Sequence, residues 1–100
     1  MNHQETIKQL GGHNRLVAMI GAHTFVAHEN AVSFKFKAGA KYNYIKITIN
    51  SLDTYDLEFG KIRGLDYKIL DEINGIYNDQ LIEIFERTTG LALSLGTLNG

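Results

Sequence analysis

The chain has 100 residues, a formal net charge of −1, 44% apolar and 21% charged residues, and neither cysteine nor proline. That length supports one domain with a single core, and the balance of residue types is ordinary for a globular chain rather than a disordered one. Without cysteine there is no disulfide framework, thiolate metal site or cysteine nucleophile, and without proline every turn rests on Gly, Asn, Asp and Ser.

No apolar run approaches the roughly 20 residues that span a bilayer. The opening MNHQETIKQLGG is polar and amphipathic, unlike a signal peptide. The expectation is a soluble chain that stays in the cytoplasm, with no membrane partner. Charge is unevenly placed: residues 1–50 carry a net of +4 and residues 51–100 a net of −5. Such a split marks an interaction surface, or it reflects neighbouring strands whose opposite charges pair across a sheet. The register below favours pairing.

In chain order, Asn2 with Glu5 forms a weak capping box, and Ile7 and Leu10 give a one-sided stripe. Gly11 and Gly12 end this short helix. Residues 14–20 (NRLVAMI) suit either a second helix capped by Asn14 and stopped by Gly21, or a buried strand; the helix is preferred. From Thr24 the period becomes two. Phe25 and Val26 lead into a turn at residues 28–30, after which residues 31–37 (AVSFKFK) alternate, with Val32, Phe34 and Phe36 on one face and Ser33, Lys35 and Lys37 on the other.

Residues 38–40 break the run. Residues 42–50 (YNYIKITIN) alternate again, with Ile45, Ile47 and Ile49 inward, and residues 55–62 follow with Tyr55, Leu57 and Phe59 inward. A loop at residues 50–54 sets Ile49 opposite Tyr55, Ile47 opposite Leu57 and Ile45 opposite Phe59. The same register sets Thr48 opposite Asp56 and Lys46 opposite Glu58, so one pairing satisfies both faces.

Residues 63–64 turn the chain into a strand over 66–73. Asn74 and Gly75 punctuate, and the apolar set Tyr77, Leu81, Ile84 and Phe85 predicts a helix over 76–89 closed by Gly90. The tail is expected to lay leucines on the core. The fold expected is α+β: an antiparallel sheet of about four to five strands flanked by an N-terminal helical segment and a C-terminal helix, as one domain.

No residue set points to catalysis, a cofactor or a metal. His23 and His28 are five apart, a spacing that does not put two imidazoles on one metal from a helix, and turn or surface roles account for them and for His13. Asp53 and Asp56 bracket a turn, and Asp56 is explained by its place beside Thr48 and Lys46. Gly11 and Gly12 with Arg15 make a weak anion-binding arrangement, more simply read as a helix terminator. The serines sit in no nucleophile elbow.

A basic, aromatic stretch is the stronger feature. Residues 30–52 carry Lys35, Lys37, Lys41 and Lys46 and no acid, with Tyr42 and Tyr44 interleaved. If the outward face is open, Lys35, Lys37, Tyr44 and Lys46 form a candidate interaction face of the kind that carries single-stranded nucleic acid. Asp56 and Glu58 on the same face would repel phosphate.

Read together, QLGG, RLVAMIGAHTFV, ITINSLDTYDLEF and GIYNDQLIEIFERTTG resemble a family of small proteins of unknown function encoded by bacteriophages and mobile elements. The resemblance covers nearly the whole chain and rests on residues 10–12, 15–22, 53–56 and 77–81. It departs at Leu16, where the family carries an aromatic, and at Ile20, where it carries threonine. The resemblance implies a bacterial, phage-linked setting and supplies no catalytic residues. Two functions are therefore expected to compete. One is an accessory protein that binds a host or phage protein, with inhibition of a host defence system as one form of that action. The other is a nucleic-acid-binding regulator using the Lys/Tyr face. Homo-oligomerisation through an unpaired sheet edge is a separate expectation.

Overall fold

The computed structural model describes residues 3–37, 41–91 and 93. Two short helices, α1 (His3–Gln9) and α2 (His13–Ile20), open the chain. Helix α2 settles the ambiguous segment: its N-cap is Gly12 rather than Asn14, and Gly21 in the left-handed region closes it by donating its N–H to Val17. Leu16 and Ile20 are buried to 0% and 1% exposure, so the aliphatic residues at these two positions belong to the core.

Five strands follow: β1 (His23–Ala27), β2 (Ala31–Lys35), β3 (Tyr44–Ile49), β4 (Tyr55–Arg63) and β5 (Asp66–Ile76). They form one antiparallel meander in the order β1-β2-β3-β4-β5. The β3–β4 hairpin has the predicted register at all five pairs, from Ile49 opposite Tyr55 to Ile45 opposite Phe59. Asn50 organises its loop, the side-chain oxygen accepting from Leu52 N–H at 2.8 Å while the amide donates to Thr54 Oγ1 at 2.7 Å.

The C-terminal part differs from expectation. Strand β5 does not stop at Ile73 but runs through Asn74 and Gly75 to Ile76, which pairs with Tyr55. Gly75 takes a left-handed φ of 72° inside the strand and donates its N–H to Asp56 Oδ1 at 3.0 Å. The glycine that reads as punctuation serves an irregularity in the strand. A 3₁₀ turn (Asn78–Gln80) then leads into α3 (Leu81–Thr89), so the helix starts later than predicted and Tyr77 lies outside it, exposed. Gly90 closes α3 in the left-handed region, as expected.

One face of the sheet carries the core. Phe34, Phe36, Ile45, Ile47, Leu57 and Phe59 pack with Leu10 just past α1, Leu16 and Ile20 from α2, and Leu81 and Phe85 from α3. The rings of Phe36 and Phe59 meet Phe85 at 5.5 and 6.1 Å between centroids. Leu93 is buried among them; the remainder of the tail, apart from Leu91, lies outside the described residues. Among the described residues no element covers the opposite face.

Candidate functional site

Because side chains alternate along each strand, the uncovered face is written in rows across the sheet. One row runs His23, Lys35, Tyr44, Gly60, Ile69; the next runs Val26, Ser33, Lys46, Glu58, Glu72. The first is basic and aromatic. The second turns acidic towards β5, where Glu58 and Glu72 face each other directly. Beyond it come Thr48 and Asp56.

Three of the four candidate residues, Lys35, Tyr44 and Lys46, share this face. Lys46 is half-buried and sits between Ser33 and Glu58, so its charge is locally offset. Lys35 and Lys37 instead line a groove of about 500 Å³ at the end of the sheet, with His23, Asn43 and Lys61. The candidate set therefore divides between the middle of the face and one end of it.

Tyr44 has a partner that the strand pattern did not reveal. Tyr67 crosses from β5 to meet it edge-on, ring centroids 5.0 Å apart. Gly60 makes room: a Cβ there would stand 2.5 Å from the Lys68 carbonyl oxygen and 2.8 Å from the Tyr67 ring. Tyr67's phenol is pushed up to about 12, first by burial and then by Tyr44, Glu58 and Glu72. Its hydroxyl stays protonated throughout the physiological range. The exposed apolar side chains Val26, Tyr67 and Ile69 complete the surface.

The remaining polar candidates hold structural posts. Asp56 accepts from Gly75 N–H and from Asn50 Nδ2, tying β4 to β5 and to the hairpin loop. Tyr42, buried, donates to Asp71, and both burial and that hydrogen bond raise its phenol above the usual value. His28 Nε2 bonds Ser33 Oγ at 3.1 Å, His23 Nδ1 bonds Thr24 Oγ1 at 2.8 Å, and the His13 ring stacks on Phe25 at 4.7 Å. Among the described residues no three His, Asp or Glu side chains gather as metal ligands, and no helix is long and apolar enough to cross a membrane. The Arg15 side chain passes close over Gly11, its Cδ 2.7 Å from where a Cβ would stand at that position.

Comparison with protein-family models, curated proteins and solved structures gives no match.

Proposed function

We propose that the chain is a non-enzymatic binding protein that docks a protein partner on its uncovered sheet face. The observation that carries this is the Glu58–Glu72 pair. Like charges directly opposite each other across two strands disfavour folding. Lys46 faces Glu58 from β3 and offsets that carboxylate, so the excess negative charge sits at Glu72 on β5, and neither carboxylate is needed by the core. A basic side chain on a partner would relieve the repulsion, whereas a phosphate backbone would add to it. Beside the pair lie Tyr44, Tyr67 and Ile69, an aromatic and aliphatic surface suited to a protein contact.

The partner's complementary surface is then apolar at its centre, with Lys or Arg opposite Glu58 and Glu72 and acidic groups opposite Lys35. The resemblance to phage and mobile-element proteins supplies the setting, an accessory protein in a bacterial cytoplasm acting on a host or phage protein, with a host defence component as the natural target class. The test is affinity capture from host cells with the wild type beside two variants, Tyr67→Ala and Glu58→Lys with Glu72→Lys. The wild type should recover a stoichiometric partner that both variants lose while remaining folded. A partner retained equally by all three would sink the assignment of this face.

A further inference from the structure

A second surface stands apart from that face. The β4–β5 hairpin outruns its neighbours: β3 makes its last pair at Tyr44 with Gly60, yet β4 and β5 continue pairing through Lys61–Lys68 and Ile62–Tyr67 to Arg63–Asp66. Those three further residues extend a two-stranded ribbon by roughly 10 Å. Its base is fixed by Asn43, which accepts from Ile62 N–H at 2.7 Å and donates to Ile62 O at 2.8 Å. At its tip Gly64 and Leu65 make the turn, and Leu65 is wholly exposed at 105%.

Positive charge concentrates on this ribbon and beside it. Lys35, Lys37, Lys41, Lys61, Arg63 and Lys68 gather at this end of the sheet, six of the chain's ten Lys and Arg, against Asp66 and Asp71. Asp71 is already engaged by Tyr42 and lies 3.8 Å from Lys41. Two grooves adjoin here. One, of about 500 Å³, has His23, Lys35, Lys37 and Lys61 on its walls and no acid; the other, of about 520 Å³, has Lys61, Arg63 and Lys68 with Asp66.

The acids of the open face do not cancel this field. Glu58 stands three residues before Lys61 on β4, roughly 10 Å along the strand and about one Debye length at 0.1 M salt. Asp66 opposite Arg63 offsets one further charge, which leaves the six cations in excess. A chain with a net charge near zero therefore presents a strongly positive end.

We infer that this end binds a nucleic-acid duplex: the lysines and Arg63 along the two grooves hold the phosphate backbone, and Leu65 at the ribbon tip rests against the groove between the strands. A two-stranded β-ribbon fits a duplex groove, and an exposed apolar tip between cations is the arrangement with which minor-groove binders wedge base steps. An acidic protein surface would be drawn by the same charge, and competition with poly-glutamate tells it from a duplex. This site adjoins the docking face and shares Lys35 with it, and it moves the nucleic-acid reading from the middle of the sheet to its end.

The test is fluorescence anisotropy of a labelled 20-base-pair duplex and the matching single strand between 50 and 200 mM salt. The wild type should bind the duplex more tightly than the strand, with a log–log salt slope of about −3.6 to −4.5 for four to five phosphate contacts. Lys35→Glu with Lys37→Glu, and Arg63→Glu with Lys68→Glu, should each weaken binding at least tenfold. Leu65→Ser should weaken it severalfold with the salt slope unchanged, while Glu58→Gln with Glu72→Gln should not weaken it. Absence of salt-sensitive binding, preference for the single strand, survival of binding in both charge reversals, or equal displacement by poly-glutamate at matched charge would each overturn the proposal. Circular dichroism of every variant separates lost binding from lost fold.

Discussion

The two faces of the sheet are built from alternate residues of the same strands, and they obey different constraints. On the covered face Phe34, Ile45, Ile47, Leu57 and Phe59 are at most 1% exposed, each locked between neighbours from other elements. On the open face the same strands carry Lys35, Tyr44, Lys46 and Glu58, half-buried side chains whose neighbours are others on that face, His23, Ser33, Tyr67 and Glu72. The covered face is explained by folding alone. The open face is not, because folding would be served as well by polar residues without the Glu58–Glu72 juxtaposition.

The largest expected effect lies on the covered face. Phe59→Ala removes a ring packed against Tyr42 and Phe85 and should cost about 3–5 kcal/mol in denaturant unfolding. A domain of this size has little more stability than that to lose, so a partly unfolded variant is the expected result. If Phe59→Ala were as stable as wild type, the division between faces would be broken.

Gly60→Ala comes next and tests a point where the open face is tightly packed. Its Cβ would meet the Lys68 carbonyl oxygen at 2.5 Å, and overpacking of this kind costs about 1–3 kcal/mol. The Tyr44–Tyr67 contact should loosen with it, visible as altered near-ultraviolet circular dichroism.

Glu72→Gln should act in the other direction. Removing one of two facing carboxylates should raise stability by about 0.2–1 kcal/mol at low salt and by less at high salt. A destabilised variant would show that Glu72 has a favourable partner and that the open face is optimised for folding after all.

The smallest effect is a pH dependence. Tyr67 titrates at about 12 in the folded chain against an ordinary value near 10. Between those values the folded state keeps a proton that the unfolded state has lost, so stability is intact below about pH 10 and falls as pH rises towards 12. Tyr67→Phe should make that decline shallower, and Tyr42, shifted the same way, should account for part of what remains.

What the amino-acid pattern revealed follows the locality of each interaction. The β3–β4 hairpin could be derived because two alternating segments and a short Asn-led loop admit a single register. Helix α3 was recognisable from Leu81 and Phe85, but its start was not. Gly75 reads as a stop, and its role as a left-handed strand residue depends on Asp56, 19 residues away.

The candidate face was found where the alternation was clean, at Lys35, Tyr44 and Lys46. Tyr67 and Glu72 were missed because their place depends on two irregularities in the β4–β5 pairing that nothing local announces. Lys61, Arg63 and Lys68 were hidden for another reason. They belong to the acidic half of the chain, and only folding sets them beside Lys35 and Lys37.

Carboxylate footprinting of the chain alone and with its recovered partner tests the docking face most directly. Glu58 and Glu72 should label readily in the free protein and be protected in the complex, while Asp53 and Glu83, away from the face, label equally in both. Protection of Asp53 or Glu83 with Glu58 and Glu72 unchanged would contradict the account.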